Sequence, residues 1–194
     1  MGTITATTEN LALALGTVIH AASKDAARPI LHGVYLESYP RGGLRCVAAD
    51  NYRIAVAPVE NGTADESLIL HLDSAAELLR MVKKERVSTD LTITTDDPGH
   101  ATATWGRGSS LGLQVIDGVF PNYQQVLPVS RDGDRTIGLD AATIAEAAKA
   151  HAPGARRGAE RNVRVTVNAD PLAPIVVRPQ VGTSFEVIMP VRLS

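Results

Sequence analysis

Cysteine is nearly absent: Cys46 is the single one in 194 residues. That excludes an intrachain disulfide and a cysteine-built zinc site. Cys46 lies in the apolar run "LRCVAA" and reads as a small buried hydrophobe. Aromatic residues make up 4% of the chain, too few for a surface that stacks many bases. No stretch approaches the ~20 apolar residues of a membrane span. "MGTITATTEN" has neither a basic region nor an apolar one, so no signal peptide is expected and the chain reads as cytoplasmic. Charge of one sign is also lacking. A net charge of −2 does not draw the whole molecule onto nucleic acid or an anionic membrane, although a local basic face stays open. Enzyme signatures are missing too: there is no phosphate-binding loop, no nucleophile elbow and no metal-spacing histidine pair. His20, His32, His71, His100 and His151 have no nucleophile or ligand partner at motif spacing. No catalytic residue, cofactor or metal is expected.

Hydrophobic residues are plentiful, at 44%, and their pattern repeats. "TITATT" alternates as a strand does, and Leu11, Leu15, Val18, Ile19 and Ala22 follow at helical spacing, with Thr8 or Asn10 as N-cap. Pro29 ends the helical region. "ILHGVYLES", "LRCVAAD" and "RIAVAPVE" then read as three strands separated by turn residues. The plan recurs in "SLILHL", the helix "DSAAELLRMVKKE" with Asp73 as N-cap, and the strands "STDLTITTDD", "HATATWG" and "SLGLQVI". It recurs again in "RTIGL", the helix "DAATIAEAAKAHA" capped by Asp140, and "NVRVTVNAD", "APIVVRP" and "SFEVIMPVRL". The chain is thus three β-α-β-β-β units of about 60 residues each. One such sheet with one helix cannot bury both faces, so the units must associate. The expected fold is α+β, with helices on one face of antiparallel sheets.

The basic residues follow the repeat. Arg80, Lys83 and Lys84 lie at the end of the second helix, Lys149 on the third, and Lys24 at the end of the first. One reading is solvated helix ends whose cations complement the helix dipole. The other is a set of equivalent basic helices that meets one phosphate backbone without reading bases. The sequence leaves both standing.

Three segments resemble a known family. "RPILHGVYLE", with "LRCVAADNYRIAVAPV", is similar to the second domain of the bacterial DNA polymerase III β sliding clamp, where an apolar strand and a glycine precede a Thr-Asp-Gly-[Tyr/His]-Arg-Leu-Ala turn. "DGVFPNYQQVLP" resembles that family's Phe-Pro-Asp-Tyr-x-x-Val-Leu-Pro linker, and "VIMPVRL" its C-terminal Val-Met-Pro-Met-Arg-Leu. Residues 1–121 resemble the complete middle domain, 122–133 the linker, and 134–194 one repeat, the second half of the third domain. Departures are Ala49 for the family's Thr, Asn51 for its Gly and Gln125 for a usual Arg.

The resemblance implies the DNA-clamp fold and a non-enzymatic role in replication or repair. It implies a groove that takes short linear motifs of DNA polymerase and other clamp partners. Carried over residue by residue, that groove comprises Leu31, Asn51, Tyr52, Arg53, Ile54, Pro121, Gln125, Val126, Val187, Ile188, Met189, Pro190, Val191 and Arg192. It further implies double-stranded DNA, bound without sequence preference, as a partner of the basic helices. A homo-oligomer is implied as well, because the family's ring holds twelve such units. A ring-less peptide-binding module is the alternative.

Overall fold

The computed structural model describes residues 2–25, 27–39, 43–50, 52–127, 137–151, 163–167, 170, 173–179 and 186–191. The chain divides into two compact units, Met1–Leu127 and Pro128–Ser194.

Unit 1 runs β1 (Thr3–Thr7), α1 (Thr8–Val18), β2 (Gly33–Tyr39), β3 (Gly43–Ala49) and β4 (Ile54–Ala64). It repeats as β5 (Leu68–His71), α2 (Leu72–Val82), β6 (Asp90–Asp97), β7 (His100–Trp105) and β8 (Ser109–Ile116). The strands close in the order β1-β4-β3-β2-β5-β8-β7-β6, with β6 back on β1. Each repeat therefore contributes its strands in the order first, fourth, third, second. The two seams join the second strand of one repeat to the first strand of the other. Leu36 faces Leu68 and Val34 faces Leu70 in one seam; Ile93 faces Ile4 and Leu91 faces Ala6 in the other.

Alternation decides what is inside. Val34, Leu36, Cys46, Ala48, Leu68, Leu70, Leu91 and Ile93 turn to the core shared with α1 and α2. The helices supply Leu11, Leu15, Val18, Ala75, Leu78 and Val82, all buried. Each fully buried Leu or Ile contributes about 1.5–3 kcal/mol, so this double layer holds the unit together.

The helix starts differ by a residue or so from the sequence expectation. Thr7, not Thr8 or Asn10, caps α1: its Oγ1 accepts the Asn10 N–H at 3.2 Å. Thr8 is instead buried, and its Oγ1 accepts the Thr89 N–H at 3.1 Å. At α2 the cap is His71, whose Nδ1 accepts the Asp73 N–H at 3.3 Å, and Asp73 sits in the first turn. Asp140 does cap α3: its Oδ1 accepts the Thr143 N–H at 2.8 Å. The Asp97-Pro98-Gly99 turn joins β6 to β7, with Gly99 at φ 88°, a conformation that favours glycine. β4 is bulged. Gly43 pairs with Thr63 while Leu44 pairs with Val59, and Asn61 takes φ 55° in the loop-out, which Asn tolerates.

Unit 2 contains α3 (Ala141–His151), β9 (Val163–Thr166), β10 (Ile175–Pro179) and β11 (Glu186–Ile188). The sheet order is β11-β10-β9, and an isolated bridge sets Gly138 beside Val191. The third repeat thus keeps the first-fourth-third-second order. Its core is small: Ala147, Ile175, Val177 and Ile188, with Ile137, Leu139 and Ile144 partly buried against them. The three-repeat α+β reading of the sequence holds. Among the described residues no helix is long and apolar enough to cross a membrane.

Candidate functional site

The strands β2, β3, β5 and β8 carry apolar residues on both faces along part of their length. The residues between their core positions, Tyr35, Val47, Ile69 and Ile116, form a second cluster with Ala49, Phe120 and Tyr123. Tyr35 opposes Val47 and Ile69, and Ile69 opposes Ile116, so these side chains share the outer face of the sheet. A solvated face does not carry such a row; this one is covered. The cover is the segment after β8. Phe120 stacks on Tyr35 at 4.9 Å and 6°, and meets Tyr123 edge-on at 6.4 Å and 77°. Tyr123 begins a 3₁₀ turn, Tyr123–Val126.

A polar latch fixes this segment. Glu37 and Arg45 are cross-strand partners on β2 and β3, and Arg45 Nε donates to Glu37 Oε2 at 2.5 Å. The Tyr123 hydroxyl donates to the same oxygen at 2.6 Å, and Gln124 Nε2 reaches Oε1 at 3.4 Å. The Arg45 guanidinium lies over the Tyr39 and Tyr123 rings, at 5.1 and 5.5 Å. Burial alone would raise the Glu37 carboxyl, but the hydrogen bonds from Arg45 and Tyr123 outweigh it and hold the group below the usual carboxylate range. Burial and the Glu37 charge together push the Tyr123 hydroxyl well above the usual tyrosine range.

The residues singled out from the sequence gather around this cluster in part. Leu31 and Ile54 are half-buried and pack against it. Leu31 is not in a strand as expected. It ends a 3₁₀ turn, Pro29–Leu31, and β2 begins at Gly33. Pro29 sets the turn's first φ, and His32 Nδ1 lies 2.8 Å from the Ser23 carbonyl oxygen, which holds the turn closed. Asp50 shapes the next segment. Its Oδ1 accepts the N–H groups of Tyr52 (2.8 Å) and Arg53 (3.1 Å), and Arg53 Nε donates to Oδ2 at 3.0 Å. Tyr52 is left 94% exposed. Asn51 lies outside the described residues. Pro121, Gln125 and Val126 are exposed, and the Pro121 carbonyl accepts the Tyr123 N–H at 2.7 Å.

In unit 2, Val187, Met189 and Val191 are exposed and Pro190 half-buried. Ile188 points the other way, into the unit 2 core at 3% exposure. The Val191 N–H donates to the Gly138 carbonyl at 2.9 Å, so the chain resumes pairing after Pro190. Arg192 lies outside the described residues.

The basic set separates. Lys24 is in the loop that follows α1 and a short 3₁₀ turn, Ile19–Ala21, so it is not a helix residue. Arg80 is on α2, and its guanidinium is paired with Glu77 by two hydrogen bonds, one of them Nε to Oε2 at 2.8 Å. Lys83 caps the C-terminus of α2, Lys84 follows it, and both are exposed. A cleft of about 560 Å³ beside α1 is lined by Glu9, Lys83, Glu85 and Arg86. Its balance of signs is not that of an anion pocket. Lys149 is on α3.

Glu37, Arg45, Tyr35, Phe120 and Tyr123 were not foreseen as a unit. The available signal was the doubly apolar strands and the pair Glu37 and Arg45, placed symmetrically about the "YPRGG" turn.

A closed pair of β-α-β-β-β repeats followed by a further repeat defines a DNA clamp. Residues 5–122 match the family model for the central domain of the DNA polymerase III beta subunit, and the chain belongs to that family. Among its relatives is the beta sliding clamp of Caulobacter vibrioides, 31% identical over 133 residues, which are 66% of this chain and 34% of the relative. That of Synechococcus elongatus is 30% identical over 125 residues, 63% of this chain and 32% of the relative. The crystal structure of the C. crescentus clamp superposes with a TM-score of 0.76 at 26% identity, over 97% of this chain and 50% of that one. A Pseudomonas aeruginosa clamp bound to griselimycin gives 0.78 at 22%, over 97% of this chain and 50% of that one. This chain spans about a third of the curated relatives and half of those solved structures.

Proposed function

We propose that this chain is a non-catalytic clamp-type protein of DNA replication or repair that captures short apolar linear motifs of DNA polymerase and other clamp partners. The observation that carries this is the outer-face cluster of unit 1. Leu31, Ile54 and the linker aromatics come from three separate segments and meet there, with Tyr52 and Val126 exposed at 94% and 68%. An apolar trough with a few polar groups is how short motifs are recognised. Met189, Val187 and Val191 of unit 2 supply the remaining apolar contacts in this reading. That related clamps bind griselimycin supports a ligand-binding surface in the family. The exposed Lys83 and Lys84 are proposed to rest on duplex phosphates without base readout. The protein is proposed to work in the cytoplasm and as an oligomer.

The test is fluorescence anisotropy with a labelled Gln-Leu-x-Leu-Phe peptide. Met189→Ala is expected to weaken binding by about tenfold, the scale of one buried apolar anchor at an interface. Failure of the wild-type protein to bind the peptide refutes the reading. Salt-resistant retention on circular but not linearised duplex supports encirclement. Peptide binding without any retention leaves the ring-less module.

A further inference from the structure

We propose that unit 2 forms a symmetric dimer with unit 2 of a second copy of this chain, rebuilding between two chains the closed barrel that unit 1 builds within one.

In unit 1 every repeat is sealed by another, through the two seams described above. Unit 2 has the same strand order but one repeat. Among the described residues both positions that form seams are therefore open: β9, the second strand, and the Gly138 segment, the first.

The side chains carry the mark of this. Val165 lies opposite Val177, and Val177 is fully buried. Directly opposed residues share a face, so Val165 points to the core side, and Val167, two residues on, does likewise. Yet Val165 is 46% exposed and Val167 52%. The equivalent unit 1 residues, Leu36 on β2 and Ile93 on β6, are both at 0%. The other open edge agrees. Ile137 and Leu139, three and one residues before Asp140, stay partly exposed, whereas Ile4 and Leu68 are at 1% and 7%. Among the described residues no second repeat covers these core-facing positions.

Unit 1 shows what covers such a face: another repeat, joined by the same two antiparallel seams. In unit 1 the seam-forming strands β1, β2, β5 and β6 are already paired with one another. A second copy can provide the covering repeat. Under a two-fold axis, β9 of each chain pairs with the Gly138 segment of the other, and both seams form at once. The unit 1 register, Ile93 on Ile4 and Leu36 on Leu68, transfers to Val165 on Ile137 of the partner subunit. This inference rests on topology and is independent of peptide binding.

The full chain is tested by light scattering and by a cysteine pair. The wild type is expected at twice the 20.5 kDa chain mass, and Val165→Asp at the monomer mass with the Trp105 melt of unit 1 unchanged. Ile137→Cys with Val165→Cys is expected to give a covalent dimer on oxidation, and each single variant little. Within one chain the two positions are three strand spacings apart, about 14 Å, beyond the roughly 7 Å that a disulfide spans. Cys46 is buried and does not compete. A monomer at the highest attainable concentration overturns the proposal. So does a dimer that fails to cross-link, or single variants that cross-link as well as the pair.

Discussion

Truncating Phe120 to Ala should loosen the whole of unit 1, although Phe120 belongs to no strand or helix of the barrel. Its ring is 7% exposed, stacks on Tyr35 and closes the outer cluster over Val47 and Ile69. Phe→Ala in a core costs about 3–5 kcal/mol. Phe120 covers the sheet as a single layer that can partly collapse, so about 3 kcal/mol is expected. For a unit of this size that lowers Tm by about 12 °C, at roughly 4 °C per kcal/mol. The assay is built into the chain. Trp105 is the sole tryptophan, 3% exposed in the unit 1 core, with its indole N–H donating to Glu85 at 2.9 Å. Its fluorescence reports unit 1 melting alone. A Phe120/Tyr35 double-mutant cycle should return a coupling of about 0.5–1.5 kcal/mol. Val126→Ala, three residues past Tyr123 and exposed, should stay within about 0.5 kcal/mol of wild type. If Phe120→Ala melts with the wild type, the linker is not docked on the sheet and the candidate site loses its floor.

Four further outcomes follow from the structure. Glu37 has a folded pKa held below its unfolded value of about 4.3, so its stabilisation is present above that pH and lost as pH falls through the folded pKa; a Glu37→Gln variant should show a flatter acid limb in Tm against pH. Tyr123 is shifted upward, so its share is full below its unfolded pKa of about 10 and lost as pH rises through the folded value; Tyr123→Phe should flatten the alkaline limb and cost about 1.5–3 kcal/mol at neutral pH. Cys46 is fully buried with its thiol pushed up to about 12; a thiol reagent at pH 8 should titrate no cysteine in the native protein and one after denaturation. His71→Ala should remove the α2 cap and cost about 1 kcal/mol in denaturant titration.

The repeat, the helices and most strands were legible in the sequence because they are written in local periodicity. Leu11, Leu15 and Val18 mark a helix face whatever surrounds them, and "TITATT" alternates whatever it pairs with. Two of the three caps were misread: at α1 the cap is Thr7, one residue before Thr8, and at α2 an imidazole nitrogen serves at His71 where Ser, Thr, Asp and Asn were sought. Leu31 was placed in a strand because Ile30 and Leu31 extend the apolar run, while the turn is set by Pro29 and a contact with Ser23. The outer cluster was hidden for a different reason. Phe120 and Tyr123 meet Tyr35 across more than eighty positions of sequence, and nothing local to "VFPNYQQ" says which sheet face it will cover. The groove residues were named through family resemblance, and among those described the structure groups only Leu31 and Ile54 with the linker aromatics in one cluster.

The bulged strand β4 has one more consequence, in the matter of solubility. Between Ile54 and Val59 it has a ladder partner on one side only among the described residues, with β3, and meets β1 only at Thr63 and Ala64. A long free edge of this kind invites other chains to add to it. Pro58 stands in the middle of the stretch with no N–H to offer, the loop-out at Asn61 breaks the line, and Asn10 Nδ2 already occupies the Glu60 carbonyl at 2.8 Å. β9 has no proline and no bulge. The β4 edge is blunted against strangers, while β9 is left able to recruit.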